Sequence, residues 1–241
     1  PIWFALDPAH EQIRAARAAG RPCGWLQDEV LVLSDGTHET SLIAAANVPL
    51  TLSGAARYNI ENALGAALAG RALGLPDAAI RDTLATFRSD AKDNPGRANE
   101  FSVIAARVCV DFAHNPHSIA AVTSALAALP ARRRLVLLMH AGDRSDDDIR
   151  ALVEGAFALR PDHVVIAENL KYLRGRQPGV IPALMRATAI GLGCAADRVL
   201  LCETPLDGAR RIIDQLQPED LALLLVHADR QEIFDMLSAA E

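Results

Sequence analysis

Polar residues that could bind a ligand follow the apolar segment Val108–Phe112. They are Asp111, at the end of that segment, and His114 and Asn115 just beyond it. A carboxylate in this position can accept hydrogen bonds from two sugar hydroxyls, and an imidazole can donate to a ligand or stack on it. Asn115 followed by Pro116 also has the residue types that begin a helix, which explains these two equally well. Helix initiation does not explain Asp111, because burying a carboxylate without a partner is costly.

Two further groups of charged residues follow the next two apolar segments, Leu135–Met139 and His163–Ala167. The residues that we select from them are Asp143, Arg144, Lys171 and Arg174. Cations near glycines can hold an anionic group, although a solvated basic loop explains the second group equally well. The carboxylates after Arg144 form a capping box with Ser145, so we assign no chemistry to them.

Three kinds of site are excluded by the sequence. The only lysines are Lys92 and Lys171 and neither follows a glycine, so a phosphate-binding G-x-x-x-x-G-K-[ST] loop is absent. The glycines of 191–196 match G-x-G-x-x-A, but they follow a predicted helix and precede a strand, the reverse of a dinucleotide site. His114 and His117 have no further ligand at suitable spacing, so no metal site is predicted.

Composition restricts the partners and the compartment. The 24 basic and 30 acidic residues give a net charge of −6, which argues against a nucleic-acid binder. The best apolar run, Leu221–Val226, has the length of a strand and not of a membrane span. The sequence contains no cationic segment followed by an apolar one, so we expect no secretory leader. Four cysteines without C-x-x-C spacing indicate reduced thiols. We therefore predict a cytoplasmic protein with small-molecule partners, and the oligomeric state stays open.

The residues before position 88 predict a mixed α/β region. The expected helices are Pro8–Ala19, Tyr58–Leu73 and a third from Pro76 to Phe87. The expected strands are Ile2–Leu6, which we predict to be buried, and Val30–Ser34 and Glu39–Ile43, which flank Asp35-Gly36. That dipeptide favours a type I′ hairpin turn.

Residues 88–99 are polar and rich in turn formers, which predicts a linker. Apolar strands then alternate with helical segments. The expected strands are Val103–Ile104, Val108–Phe112, Leu135–Met139, His163–Ala167, Val199–Cys202 and Leu221–Val226. The expected helices cover about 116–129, 146–158, 178–192, 205–216 and 229–239. This order predicts a doubly wound, mostly parallel, Rossmann-like α/β domain over 100–241. Ligands of such sheets bind beyond the carboxyl ends of the strands, where the selected residues stand.

Three pieces of sequence together resemble the Mur ligase superfamily of ATP-dependent enzymes that form amide bonds. They are R-Y-N-I-E-N-A-L at 57–64, P-G-R at 95–97 and D-F-A-H-N-P at 111–116. Within the superfamily, G-D-R followed by D-I at 142–149 and L-R-G-R at 173–176 are similar to the C-terminal half of the cyanophycin synthetases. Two positions depart from the pattern: Tyr58 stands where histidine is usual, and His140 where small residues are common.

The resemblance covers essentially the whole chain and implies its organisation. Residues 1–87 would be the rear part of the ATPase central domain, 88–99 a hinge linker and 100–241 the mobile C-terminal domain. The phosphate-binding loop and the Mg²⁺ ligands would belong to a preceding part of a longer protein, so we expect this chain to be inactive alone. The implied reaction is phosphorylation of a carboxylate by ATP with Mg²⁺, followed by attack of an amine on the acyl phosphate.

The resemblance also implies roles for the selected residues. The nucleotide would be bound by Asn59, Asn62, Arg97, Asp111, His114 and Asn115. The amino-acid or peptide substrate would be bound by Asp143, Arg144, Lys171 and Arg174. A peptidoglycan-precursor ligase and a folylpolyglutamate synthetase stay open as alternatives, as does a non-catalytic binding module derived from such a ligase.

Overall fold

The computed structural model describes residues 1–241 and divides the chain into two units, Pro1–Arg88 and Ser89–Glu241. None of the helices combines the length and the apolar character that a membrane span requires.

The first unit contains a four-stranded sheet and three helices. The strands, in the order in which they pair, are β1 (Trp3–Ala5), β2 (Cys23–Gln27), β3 (Val30–Ser34) and β4 (Glu39–Ala44). The helices are α1 (Glu11–Ala18), α2 (Arg57–Ala72) and α3 (Asp77–Thr86). Strands β1 and β2 are parallel, and the other two pairs are antiparallel. Apolar residues of α2 pack with those of β3 in the main core of this unit.

Two predictions for this unit need correction. The segment at Ile2–Leu6 was predicted to be buried, but β1 is an edge strand and the side chains of Ile2, Trp3 and Phe4 are exposed. A continuous apolar run is typical of a strand with both faces covered, whereas the residues of β1 at this edge are largely exposed. The hairpin at Asp35-Gly36 forms, but its loop has four residues because the Asp35 carboxylate accepts the N–H groups of Thr37 and His38 at 2.7 and 2.8 Å.

The second unit is a six-stranded sheet with helices on both faces, which confirms the predicted doubly wound fold. The strands are β5 (Asn99–Val103), β6 (Ala106–Asp111), β7 (Arg134–Leu138), β8 (His163–Ala167), β9 (Val199–Cys202) and β10 (Leu221–Leu225). They pair in the order β5-β6-β10-β7-β8-β9, and only β5 is antiparallel to its neighbour. The last strand in sequence therefore lies in the interior of the sheet.

Five helices cover this sheet. They are α4 (Pro116–Ala127), α5 (Asp146–Ala156), α6 (Val180–Gly191), α7 (Pro205–Gln215) and α8 (Arg230–Ser238). Helix α5 packs between α4 and α6, and α7 packs beside α8. Apolar side chains of α7 and α8 share one core with alternate residues of the central strands.

The predicted strand at Val103–Ile104 is wrong. Strand β5 covers Asn99–Val103, and Ile104 lies in the turn to β6. Burial alternates along β5, as expected for an edge strand with one face in water, so its sequence lacks the continuous apolar run of the inner strands.

Candidate functional site

A cleft of about 300 Å³ opens where β6, β7, β8 and β10 end. Its lining residues are Phe112, His114, His140, Ala141, Asp143, Arg144, Asn169, Tyr172 and His227. Three of the residues selected from the sequence, His114, Asp143 and Arg144, thus lie around one cavity. A larger cavity of about 620 Å³ lies among residues at the beginnings of the strands, such as Arg107, and contains no selected residue. Because sheets of this kind bind ligands at the carboxyl ends of their strands, the smaller cleft is the candidate site.

Asp111 stands at the edge of this site with both carboxylate oxygens already engaged. Its Oδ1 accepts the amide N–H of Ala113 at 2.6 Å, and its Oδ2 accepts that of Ala98 at 2.8 Å. Asp111 is 7% exposed, and burial raises the pKa of its carboxyl although both amides act against this rise. The carboxylate therefore fixes residue 98 to the end of β6 and so positions Arg97, whose guanidinium lies 5.9 Å from the centre of the Phe112 ring.

The side chain of Asn115 caps helix α4. Its Oδ1 accepts the amide N–H of Ser118 at 2.9 Å, and the Ser118 hydroxyl lies 3.4 Å from the amide nitrogen of Asn115. This is the helix-initiating arrangement that the sequence also allowed. His114, one residue earlier, places its ring 5.1 Å from that of Phe112 and its Nδ1 3.1 Å from the Phe112 carbonyl oxygen.

Three imidazole rings meet in the cleft, those of His114, His140 and His227. The His227 ring contacts both others edge-on, with ring centres 6.3 Å from His114 and 5.9 Å from His140. Its Nε2 lies 2.9 Å from the carbonyl oxygen of Ala113, so this nitrogen carries the proton of the neutral ring. Burial lowers the pKa of His227 to about 4 and also lowers the pKa of His140. Both rings are therefore neutral at pH 7.

His140 and Asn169 are the most deeply buried polar groups of the cleft. They are 3% and 2% exposed. The Nε2 atom of His140 and both amide atoms of Asn169 have no hydrogen-bond partner in the protein.

The loop after β7 is held in place by Arg176, which the sequence analysis did not select. Its Nε donates to the Gly142 carbonyl at 3.0 Å, its Nη1 to Asp146 Oδ1 at 2.6 Å and its Nη2 to the Arg144 carbonyl at 2.5 Å. The amide of Gly142 donates to the carbonyl of Tyr172 at 2.8 Å. The two loops that follow β7 and β8 thus form one hydrogen-bonded assembly beside the cleft.

Lys171 and Arg174 do not line the cleft. The ammonium of Lys171 is paired with the Asp229 carboxylate, in the loop after β10. The guanidinium of Arg174 lies 5.3 Å from the centre of the Tyr172 ring. Both side chains are exposed, and neither belongs to the residues that line the cleft, although Tyr172 between them does.

Asn59 and Asn62 belong to α2 in the first unit. Asn59 is buried and donates through Nδ2 to the Leu50 carbonyl at 2.8 Å. Its Oδ1 accepts from Nδ2 of the exposed Asn62 at 3.1 Å.

Several lining residues could have been found from the sequence. His227 follows the apolar run Leu221–Val226 directly, and Asn169 stands two residues after Ala167. The rule that ligands bind beyond strand ends applies to them as it does to Asp143. The residue types alone did not indicate a ligand, because an asparagine is uncharged and a histidine can be charged or neutral.

The sequence profile of the family described as Mur ligase, glutamate ligase domain, matches residues 96–239. Cyanophycin synthetase of Trichormus variabilis is 31% identical over 183 residues, which cover 76% of this chain and 20% of that protein. Cyanophycin synthetase of Synechocystis sp. is 29% identical over 223 residues, which cover 92% of this chain and 25% of that protein. The chain therefore spans about a fifth to a quarter of the length of these curated relatives.

Solved structures share the fold. FolC of E. coli in complex with ADP has a TM-score of 0.66 at 21% identity, over 90% of this chain and 46% of that one. A murein peptide ligase from Psychrobacter arcticus has a TM-score of 0.58 at 15% identity, over 99% of this chain and 45% of that one. Since the family profile matches more than half of its residues, the chain belongs to the Mur ligase family and carries the glutamate ligase domain of that family.

Proposed function

We propose that this chain is part of an ATP-dependent ligase, similar to cyanophycin synthetase, that joins an amino-acid amine to a carboxylate activated as an acyl phosphate. The observation that carries the proposal is the pair Asp143 and Arg144 on the lining of the cleft. Opposite charges side by side match the ammonium and the carboxylate of an amino acid, and the cleft behind them can accept its side chain.

The proposal includes the organisation of the chain. Residues 1–87 would form the rear part of the ATPase domain, 88–99 a linker and 100–241 the C-terminal domain. The division of the chain between Arg88 and Ser89 and the start of the family match at residue 96 support these boundaries. A cytoplasmic location is also part of the proposal, and the absence of disulfides among the four cysteines supports it.

For the nucleotide we propose contacts from Asn59, Asn62, Arg97, Asp111, His114 and Asn115. The exposed guanidinium of Arg97 suits an anionic or aromatic part of ATP, and Asp111 holds the backbone that carries it. When bound, ATP supplies the phosphoryl group that activates the carboxylate. No three His, Cys, Asp or Glu side chains of the chain are arranged to hold a metal ion. The chain thus offers no complete site for Mg²⁺ from its own side chains, and we derive no step through the ion.

For the substrate we propose that Asp143 and Arg144 orient the incoming amino acid. Lys171 and Arg174, exposed outside the cleft, would attract an anionic group of the substrate.

The function is tested on the natural protein that contains this chain. ADP release is measured against a panel of amino acids, dipeptides, muramoyl peptides and folates. We expect ADP to form only when an amine and a carboxylate substrate are both present. Nucleotide binding without ADP release under every condition would identify a non-catalytic module instead.

We further predict that this chain alone does not hydrolyse ATP. Neither lysine follows a glycine, so no phosphate-binding loop can hold the β- and γ-phosphates. Phosphate release from the purified chain is expected at the level of a protein-free control. Sustained release that co-purifies with the chain would contradict the prediction.

Asp111→Ala tests the proposed contact with the nucleotide. In the natural protein the KM for ATP is expected to rise about ten- to a hundredfold, the effect of losing a hydrogen bond from a charged group. Because Asp111 also accepts two buried amide N–H groups, the free energy of unfolding should fall by about 2–6 kcal/mol. The control Asp143→Ala, at an exposed position, should leave the free energy of unfolding within about 0.5 kcal/mol. An unchanged KM would remove Asp111 from the nucleotide site.

A further inference from the structure

The cleft contains two buried polar side chains whose hydrogen-bonding groups are not used within the protein. They belong to His140, directly after β7, and Asn169, after β8. Buried polar atoms are nearly always paired in folded proteins. Two such side chains lining one cavity therefore indicate a ligand that pairs with them.

The direction of the hydrogen bond at His140 follows from its other ring nitrogen. Nδ1 lies 3.2 Å from the carbonyl oxygen of Ala141, and a carbonyl oxygen can only accept. Nδ1 therefore carries the proton of the neutral ring, and Nε2 presents a lone pair. Desolvation by burial lowers the pKa of the ring, which keeps it in this form at pH 7.

Neighbouring histidines do not supply the missing donor. The Nε2 proton of His227 is directed to the Ala113 carbonyl at 2.9 Å. The Nδ1 of His114 is directed to the Phe112 carbonyl at 3.1 Å. The lone pair of His140 thus needs an N–H or O–H group from outside the protein.

The remaining buried groups define the chemistry of that ligand. Asn169 offers one acceptor, Oδ1, and one donor group, Nδ2. Together with His140 Nε2 the buried atoms amount to two acceptors and one donor group, all uncharged. A carboxylate has no hydrogen to give to the two acceptors. A cation would lose its hydration, and the one carboxylate on the cleft lining, that of Asp143, is exposed and not buried beside His140 and Asn169. A carboxamide or a hydroxyl both donates and accepts.

We propose that His140 is a specificity-determining residue of the ligase, and that its Nε2 accepts a hydrogen bond from the side chain of the amine substrate. With Asn169 it selects a side chain that ends in an uncharged carboxamide or hydroxyl. The proposal rests on the proposed function only in assigning this ligand to the amine substrate.

The test measures binding of free amino acids to the chain in the absence of ATP. The panel comprises asparagine, glutamine, serine, aspartate, glutamate, lysine and arginine, with affinities from ligand-observed NMR. The carboxamide and hydroxyl amino acids are expected to bind about tenfold more tightly than the acidic and basic ones, which corresponds to one or two hydrogen bonds between neutral groups.

Variants assign the preference to His140. His140→Leu keeps a similar volume without an acceptor and should abolish the preference, whereas His140→Gln, which restores an acceptor, should recover part of it. His163→Leu is the matched control. His163 is the first residue of β8, and the cleft lies at the other end of the strands, so this variant should bind amino acids as the wild type does. A preference that survives in His140→Leu, or tighter binding of charged amino acids, would overturn the proposal.

The wild-type protein supplies a readout that does not depend on any variant. The ¹⁵N resonance of His140 Nε2 should be that of an unprotonated nitrogen and should shift when asparagine is added, but not when aspartate is added. An Nε2 resonance unchanged by asparagine, glutamine and serine would also overturn the proposal. None of these measurements needs ATP, so they can be interpreted even if the ADP-release assay fails. The ADP-release assay can likewise be interpreted if the binding preference is not found.

Discussion

At the scale of single residues, His227 connects burial in the cleft to the pH dependence of stability. The pKa of an unfolded histidine is about 6.5, and burial lowers that of His227 to about 4. The unfolded chain therefore takes up a proton first as the pH falls. The stability contributed by the neutral ring is complete above pH 6.5 and is lost between pH 6.5 and about 4, by about 3 kcal/mol in total.

Urea unfolding at a series of pH values checks this expectation. Over that interval the wild type should lose about 3 kcal/mol more than His227→Gln, which cannot titrate there. His117→Gln, at an exposed position of α4, should follow the wild type. Parallel pH profiles for the wild type and His227→Gln would show that the ring is not held neutral.

Gly142 is required by the close approach of two loops. A Cβ atom at this position would lie 1.9 Å from the carbonyl oxygen of Leu173. Gly142→Ala should therefore lower the free energy of unfolding by about 1–3 kcal/mol, because the loop after β8 must move. Gly191, the last residue of α6, has open space around it, and Gly191→Ala should raise the free energy of unfolding by up to about 1 kcal/mol. Urea titrations of both variants give the comparison, and equal stabilities would contradict it.

For single residues, the sequence predicts which side chains lie near the cleft better than it predicts what each side chain contacts. Strand ends are visible in the sequence, so His114, Asp143 and Arg144 could be selected before the cleft was known. What each side chain contacts depends on loops that only the folded chain brings together. The oxygens of Asp111 are engaged by backbone amides, one of them at Ala98, and no local pattern shows this. The ligand-binding roles of the selected residues stay predictions.

At the scale of elements, the turn between β5 and β6 consists of two residues whose types rarely adopt the backbone conformation that the turn requires. Ile104 and Ala105 have φ values of 46° and 63°, as a two-residue type I′ turn requires. A β-branched residue with positive φ is strained, whereas asparagine is favoured there. Ile104→Asn should thus raise the free energy of unfolding by about 1 kcal/mol.

The matched control is Leu201→Asn on β9. Leu201 is 51% exposed and Ile104 is 53% exposed, so both substitutions remove a half-exposed apolar side chain. Asparagine is disfavoured in a strand, and this variant should gain no stability. A gain in both variants would show that removal of the exposed apolar side chain, and not the turn, is responsible.

The same turn explains why β5 was misplaced. The helices with local signals were found from the sequence, such as α5, where Ser145 and Asp148 form the predicted capping box. The turn at Ile104 carries no glycine or asparagine, so the sequence around it suggested a strand. Pairing with β6 and the edge position of β5 outweigh the local preference of Ile104.

At the scale of the whole molecule, the second unit has a core built from its own residues. The apolar cluster on one face of its sheet is drawn from β5 to β10 and from α7 and α8. We predict that a chain of residues 89–241 alone folds with the cleft intact. Circular dichroism should show cooperative unfolding, and the His140 Nε2 resonance should match that of the longer chain. Aggregation or non-cooperative unfolding of residues 89–241 would contradict the prediction.

The interior position of β10 has a consequence for synthesis on the ribosome. Strands β6 and β7 are not neighbours, because β10 lies between them and pairs with both. Until residues 221–225 emerge, each of these buried strands has an open edge, and at ordinary translation rates this interval lasts on the order of ten seconds. A nascent chain interrupted before β10 thus exposes two unpaired strand edges, which can pair with strands of other chains, and its cleft is incomplete. The pairing of β10 closes both edges and brings His227 to the cleft in the same late step.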